Sequence, residues 1–258
     1  MLEMLLPLLG LTLAGTAVMS NDAVQTLGTF MASNKKTAWW QLWGAASAVL
    51  ISTVLYSWFA YNGDISFGRL DKIPHVTVQW YHALAPGVLL LLTRHGIPVS
   101  TTFLVLSAFA STVVFEKMLA KSMLGYAISA TIAYAFWMVL AKHLDEKKKV
   151  KQEHERAWRM AQWGTTGFLW FTWLSHDLAN IAVFAPRQIS PELLVGILIL
   201  LVSVLAHVFY SQGGKIQQIV NEKSTTSYVR SATIIDAVYA FILLYLKQMN
   251  NITMSPTW

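Results

Sequence analysis

Long apolar segments separated by short polar stretches make up most of the 258-residue chain. Such segments cover residues 5–19, 39–61, 83–93, 103–115, 118–141, 158–174, 193–210 and 234–246. About half of them approach the ~20 residues that a helix needs to cross a bilayer, whereas 83–93, 103–115 and 234–246 are too short. The pattern predicts an all-α protein in which long helices cross a membrane and the short segments enter and leave it as re-entrant helical hairpins.

The amino-acid composition favours a membrane location. Hydrophobic residues make up 55% of the chain and charged residues 12%, against about 25% charged residues in a soluble domain. The absence of cysteine excludes disulfides and thiolate metal sites. We attribute the net charge of +6 to loops that orient the helices rather than to nucleic-acid binding. The sequence therefore predicts a multi-pass integral membrane protein of the cell (inner) membrane, with the lipid bilayer as its surroundings.

One strongly polar stretch divides the chain near its middle. Residues 142–159 hold seven basic and four acidic side chains, and the positive-inside rule places such a stretch in the cytoplasm. This predicts a first unit at 1–141, a cytoplasmic basic loop at 142–156 and a second unit at 157–258.

The two units share polar positions at a constant offset. Asp22 and Asp177 lie 155 residues apart, as do Ser100 and Ser255. The same shift relates Ser20-Asn21-Asp22 to Ser175-His176-Asp177, Gln25 to Asn180, and Thr102 to Thr257. A first unit with a broken helix, a crossing helix, a hairpin and another crossing helix would cross the membrane three times, so the second unit would enter it in the opposite orientation. The sequence predicts two inverted repeats with broken transmembrane helices, an arrangement common among secondary transporters.

An ionisable residue follows the first apolar segment. Asp22 lies in a polar stretch, residues 20–29, whose side chains cannot face lipid, and an unpartnered carboxylate there costs several kcal/mol. Side-chain oxygens of aspartate, asparagine and glutamine, with carbonyls freed by a break in the helix, are ligands for a hard cation such as Na⁺. The candidates are Asn21, Asp22, Gln25, Asp177 and Asn180. The alternative is that the helix ends at Met19 and that the following polar residues form a solvated cap.

The turn of the first hairpin carries hydroxyl side chains at the start of a helix. Glycine and proline mark the turn at 96–98, and Ser100, Thr101 and Thr102 follow it. Free backbone N–H groups, the positive end of the helix dipole and the hydroxyls would bind an anion near the membrane centre. The alternative is that Ser100 only caps the helix. Matching positions in the second unit are Ser255 and Thr257.

These motifs resemble those of the inorganic phosphate transporter (PiT) family. Residues 21–29, Asn-Asp-Ala-Val-Gln-Thr-Leu-Gly-Thr, are similar to the signature of that family, and residues 96–102 are similar to its Pro-Val-Ser-Thr-Thr hairpin motif. Residues 175–180 and 253–257 resemble the second copies. The resemblance implies a symporter that imports inorganic phosphate with Na⁺ or H⁺, or a sulfate permease as a variation. It also implies two inverted repeats that meet at a midplane site, usually in a homodimer.

Carried over by position, the resemblance implies roles for individual residues. Na⁺ would be bound by Asn21, Asp22, Asp177 and Asn180, and phosphate by Ser100, Thr101, Thr102, Ser255, Thr257, Asp22 and Gln25. Na⁺ as the co-transported ion is the only metal implied, with no transition metal and no cofactor. Gln25, His176 and Pro256 depart from the family pattern, which leaves the geometry of the second hairpin and the choice of anion open.

Two alternatives to a transporter concern the second unit. The counterpart of residues 103–141 would begin at Trp258, where the sequence stops, so the second repeat is expected to be incomplete at its C-terminus. A truncated relative that binds phosphate or a partner chain without transporting anything is therefore one alternative. An intramembrane hydrolase with a metal at His176 and Asp177 is a weaker one, because no third ligand has metal-binding spacing. We do not expect the chain to be an enzyme.

Overall fold

A computed structural model describes residues 2–97, 99–140, 152–223 and 229–245. These residues form helices α1 (Leu2–Ser33), α2 (Trp39–Ala60), α3 (Trp80–Arg94), α4 (Thr101–Leu106), α5 (Thr112–Leu140), α6 (Gln152–Ala182), α7 (Pro191–Tyr210), α8 (Gly214–Lys223) and α9 (Val229–Leu243). A short 3₁₀ helix, Arg69–Lys72, lies between α2 and α3. The described ranges contain no strand, so the predicted all-α class is confirmed.

Two helices in the described part of the chain, α2 and α7, are long and apolar enough to cross a membrane, judged by length and composition. They are antiparallel neighbours. Trp39 at the start of α2 contacts Tyr210 at the end of α7, with ring centroids 5.6 Å apart. At the other end, Trp58 donates a hydrogen bond to the carbonyl of Ile189, just before α7, at 2.8 Å. Large apolar side chains such as Phe59, which is 72% exposed, remain on the surface, and such a surface is more stable in lipid than in water.

Helices α1 and α6 lie at the centre of the fold and contact each other. α1 packs along α3 and α7, whereas α6 packs along α9 and α2. Two indole groups link the long helices: Trp170 of α6 donates to the carbonyl of Ala46 in α2 at 3.2 Å, and Trp43 of α2 donates to the carbonyl of Val202 in α7 at 3.1 Å. Each central helix therefore has one short helix of its own unit and one long helix of the other unit as neighbours.

The predicted breaks in the helices near Asp22 and Asp177 are wrong. α1 and α6 each run through these positions without interruption. Side chains around Asp22 supply its hydrogen bonds, so the backbone keeps its own i→i−4 bonds, whose loss in an apolar interior would leave N–H and C=O groups unpaired. The alternative of a solvated cap is also wrong, because the helix continues past Asp22 and this residue is only 1% exposed.

A helical hairpin occupies the position of the first predicted hairpin. α3 has 15 residues, about 22 Å at 1.5 Å per residue, which is shorter than the ~30 Å hydrocarbon core of a bilayer. It packs along α1, and the turn after it leads into α4, which packs against α3. At the end of α3, the side chains of Arg94 and His95 are exposed.

Three element boundaries differ from the sequence-based expectation. The apolar segment 103–115 is not one helix, because tight turns between α4 and α5 interrupt it. The polar loop predicted at 142–156 ends earlier, since α6 already begins at Gln152. The polar stretch between the apolar segments 193–210 and 234–246 contains α8, an amphipathic helix whose Ile216 is buried.

We expect Gly63→Ala to destabilise the fold. Gly63 has a φ of +93°, and an added Cβ would lie 3.3 Å from the backbone of Gln188 and Ile189. A non-glycine residue in this conformation costs on the order of 1–3 kcal/mol. Gly44→Ala is the matched control because Gly44 lies inside α2 with open space around it, so alanine there should stabilise by about 0.5–1 kcal/mol. Thermal unfolding of the purified variants measures both effects, and equal midpoints would contradict the expectation.

Candidate functional site

Polar side chains from α1, the hairpin turn and α6 meet in the interior of the fold. We call this group the polar cluster, and it comprises Asn21, Asp22, Gln25, the carbonyl of Val99, Thr101, Thr102 and Asn180. The members on α1 lie in the middle of that helix, where Asn21 and Asp22 are at most 1% exposed. Gln25 lies one turn further along and donates to Oδ1 of Asn21 at 2.9 Å. Most of the residues that the sequence assigned to Na⁺ or phosphate thus lie together.

Hydrogen bonds join α1 to the hairpin turn. Asn21 donates from Nδ2 to Oδ1 of Asp22 at 2.7 Å and to the carbonyl of Val99 at 2.9 Å. The hydroxyl of Thr101 donates to the same Oδ1 of Asp22 at 2.9 Å. These contacts span 78 to 79 positions of the sequence, so the polar stretch after the first apolar segment and the first hairpin motif form one site.

Asn180 brings α6 to the same site. Its Nδ2 donates to the hydroxyl of Thr102 at 3.4 Å, and the side chain is fully buried. Its Oδ1 has no hydrogen-bond partner within the described ranges. A buried amide oxygen of this kind is an available ligand for a cation, because an unsatisfied acceptor in an apolar interior is unfavourable.

Asp177 lies one turn before Asn180 on α6 and is 4% exposed. Arg69, on the 3₁₀ helix that packs against α6, brings a positive charge to this side of the site. Burial lowers the pKa of Arg69 to about 10, and the negative charge of Asp177 opposes that decrease. The guanidinium therefore stays protonated at neutral pH and partly compensates the charge of Asp177.

Ser100 lies at the edge of the polar cluster, and its side chain has a local role. It is the N-cap of α4 and accepts a hydrogen bond from the backbone N–H of Phe103. α4 has six residues, so the dipole contribution predicted for its start is small. The capping alternative is the one that this geometry favours for Ser100, and anion binding at the turn would depend on Thr101 and Thr102.

The remaining predicted residues fall into two groups. Ser255 and Thr257 lie outside the described residues. His176 is buried beside Asp177, and the described ranges contain no group of three or more His, Asp or Glu side chains placed to hold a metal ion.

Sequence reasoning gave no role in a binding site to two charged residues, Arg69 and Asp236. Arg69 belongs to a loop whose charges were assigned to membrane orientation, and nothing in the local sequence indicates that its charge acts on Asp177. Asp236 of α9 is 1% exposed and is bound by hydroxyls of α1 and α6. The signal for Asp236 is an acidic residue inside the apolar segment 234–246, which from the sequence could be a partner of Arg230 or a cap, but its partners in the structure lie 70 and 207 positions away.

Comparison of the chain with known proteins gives no match to a family model, to a curated protein or to a solved structure. The functional conclusion therefore depends on the geometry of the polar cluster and on the resemblance of its motifs. The groove between α2 and α6, about 580 Å³ and lined in part by Ser52, Thr53 and Phe171, does not include any of the predicted site residues.

Ser100→Ala separates the capping role from phosphate binding. Loss of an N-cap costs about 0.5–2 kcal/mol, and the 3.4 Å bond from the Phe103 N–H to Ser100 places this case at the lower end. We expect thermal stability to decrease slightly and phosphate uptake to stay within about twofold of the wild type, because a residue that only caps the helix does not contact the substrate. A complete loss of uptake in a folded Ser100→Ala protein would instead assign a phosphate contact to this hydroxyl.

Proposed function

We propose that the chain is a secondary active transporter that imports inorganic phosphate together with Na⁺ across the cytoplasmic membrane. The observation that carries this proposal is the convergence of Asp22 on α1, Thr101 and Thr102 at the hairpin turn, and Asn180 on α6. Carboxylate and amide oxygens suit a hard cation, and hydroxyl donors suit an oxyanion. Asp22 is hydrogen-bonded to Thr101 and Asn180 to Thr102, and these two pairs are adjacent because Thr101 and Thr102 are consecutive residues.

The packing of the helices supports an inverted-repeat transporter. The pairing of α1 with α3 corresponds to that of α6 with α9, and the contact of α1 with α7 corresponds to that of α6 with α2. In such folds the substrate site lies at the interface of the repeats near the bilayer midplane. The polar cluster lies between the middle of α1 and the second half of α6, which is where the interface of two such repeats would be.

Cation binding would change the hydrogen bonds of the cluster. The hydroxyl of Thr101 donates to Asp22 in the structure. Na⁺ bound to Asp22 and to the free Oδ1 of Asn180 would neutralise the carboxylate and weaken the attraction that holds this proton. Thr101 would then be able to donate to a phosphate oxygen, beside the hydroxyl of Thr102.

Charge balance gives the reason for coupled transport. Divalent phosphate cannot enter an apolar interior without compensating positive charge. The hydroxyls of Thr101 and Thr102, which would contact the anion, carry no charge, and Arg69 acts on Asp177. Bound Na⁺ would supply the missing positive charge, so the anion would bind well only together with the cation.

The test is uptake of radiolabelled phosphate into proteoliposomes with and without an inward Na⁺ gradient. We expect uptake that requires the gradient and that falls about tenfold in Thr102→Val, because one hydrogen bond to a charged group is worth about 1.5–3 kcal/mol. Thr131→Val is the matched control, since Thr131 lies on an exposed part of α5 and bonds only its own helix among the described contacts.

Three outcomes would contradict the proposal. Absence of uptake in vesicles with folded, inserted protein would favour the non-transporting alternative. Uptake of sulfate with no competition by phosphate would favour a sulfate permease. Equal uptake by Thr102→Val and wild type would place the anion elsewhere in the protein.

A further inference from the structure

A buried carboxylate lies away from the polar cluster, between α1, α6 and α9. Asp236 of α9 is 1% exposed. Thr29 of α1 donates to its Oδ1 at 2.7 Å, and Thr166 of α6 donates to its Oδ2. Both carboxylate oxygens are therefore held by neutral hydroxyl groups from the two central helices.

Thr29 and Thr166 use their hydroxyls to bond Asp236 rather than the backbone of their own helices. Other threonines and serines of α1, such as Thr26 and Ser33, donate to the backbone carbonyl one turn earlier. Thr29 turns its hydroxyl to α9 instead. Three helices thus bring four side-chain oxygens together, which is more than packing of α9 against α6 requires.

A carboxylate in such surroundings needs a positive charge. Two hydroxyl donors stabilise an ionised carboxylate only in part, and the penalty for burying a charge in an apolar interior is large. Carboxylate and hydroxyl oxygens are hard ligands of the kind that bind Na⁺, and a proton neutralises the carboxylate in the same way.

We propose that Asp236, Thr29 and Thr166 form a second binding site for a monovalent cation, Na⁺ or a proton, between the polar cluster and the Ser33 end of α1. Thr29 lies two turns after Asp22 on α1, about 10 Å along the helix axis. The inference rests on the proposed function, because only in a transporter would this cation site lie on a transport route. It deepens that function by adding a cation position outside the site where phosphate would bind.

The nearest charged side chains along the three helices do not occupy the position of the proposed cation. On α6, the nearest is Arg159, two turns before Thr166, which is engaged by the carbonyl of Ser33, by Asn34 and by Glu155. On α1 the nearest ionisable residue is Asp22. On α9 itself, Arg230 lies six residues before Asp236, about 9 Å along the helix axis.

The experiment measures cation binding to purified protein, so it does not depend on transport. Equilibrium binding of ²²Na⁺ is compared among wild type, Asp236→Asn and the control Glu192→Gln, which changes an exposed carboxylate at the start of α7. Infrared spectra are recorded on protein labelled with ¹³C-aspartate in Na⁺-free and Na⁺-containing buffers at neutral pH. The spectrum of wild type minus that of Asp236→Asn reports whether the Asp236 carboxyl group is ionised or protonated.

For a Na⁺ site we expect Asp236→Asn to bind one Na⁺ fewer than wild type, and the carboxylate band of Asp236 to shift when Na⁺ is added. For a proton site we expect equal Na⁺ binding and a carboxylic-acid band that disappears in Asp236→Asn. An ionised Asp236 whose spectrum is insensitive to Na⁺, with equal Na⁺ binding in both proteins, would overturn the proposal. Either result in favour of a cation site can be obtained even if the protein does not transport phosphate, so the two proposals can be contradicted independently.

A milder pair of variants covers the case in which Asp236→Asn does not fold. Thr166→Val removes one hydroxyl, and Thr166→Ser keeps it. We expect cation affinity to fall about tenfold in the valine variant, since a hydrogen bond or ligand to a charged group is worth about 1.5–3 kcal/mol. The serine variant should restore it. Equal affinities of the two variants would contradict the site.

Discussion

Asp22→Asn is expected to reduce Na⁺-driven phosphate uptake about 100-fold in a protein that remains folded and inserted. The carboxylate accepts hydrogen bonds from Asn21 and Thr101 through one oxygen. An asparagine in its place keeps the shape but loses the charge that attracts Na⁺. Uptake into proteoliposomes at saturating and limiting Na⁺ measures the effect, with Glu192→Gln as the control for loss of a carboxylate away from the site.

The same variant distinguishes two roles of Asp22. A carboxylate next to the anion can accept the proton that phosphate carries at neutral pH, whereas sulfate carries none. We therefore expect Asp22→Asn to weaken phosphate uptake more than any sulfate uptake. Equal losses for both anions would leave Asp22 with the role of a cation ligand only. Unchanged uptake of phosphate would remove Asp22 from the site altogether.

Arg69→Gln is expected to make the stability of the protein strongly dependent on Na⁺. Arg69 is half-buried, and its charge acts on the buried Asp177 on the α6 side of the site, so its removal leaves the charge of Asp177 less compensated. Na⁺ bound near Asp177 would replace the lost charge. The thermal unfolding midpoint should therefore fall in Na⁺-free buffer and recover in part when Na⁺ is added.

Arg69→Lys is the control for the charge. Lysine keeps the positive charge but has a different reach and only one donor group, so this variant should be less dependent on Na⁺ than the glutamine variant. A decrease in the midpoint that is the same with and without Na⁺ would show that Arg69 contributes through packing. In that case the charge of Asp177 is balanced by other groups.

The helical class and the contact between distant motifs were predictable from the sequence. Apolar segments with few charges indicated helices, and polar residues inside them indicated a buried site, because such residues are unfavourable in lipid without partners. Asn21 and Asp22 do meet the turn that carries Thr101. The function remains a proposal, since the same contacts serve a protein that binds without transporting.

The breaks in α1 and α6 were a wrong prediction for an instructive reason. The sequence shows that Asp22 needs partners, but it does not show whether backbone or side chains supply them. In the structure the side chains of Asn21 and Thr101 do so, and the helix stays intact. Arg69 and Asp236 were given no role in a site because the residues they interact with lie on other elements, and local periodicity carries no information about such contacts.

The exposed end of α3 has a consequence for the accessibility of the site. Arg94 and His95 project from the hairpin a few residues before the turn that reaches the polar cluster. If the proposed function is right, this end of the hairpin lies deep in the membrane, where an exposed guanidinium in contact with lipid is costly. A water-filled vestibule on that side of the hairpin would resolve the conflict. Ions would then reach Thr101 and Thr102 from solution without crossing lipid, as in a transporter open to one side of the membrane.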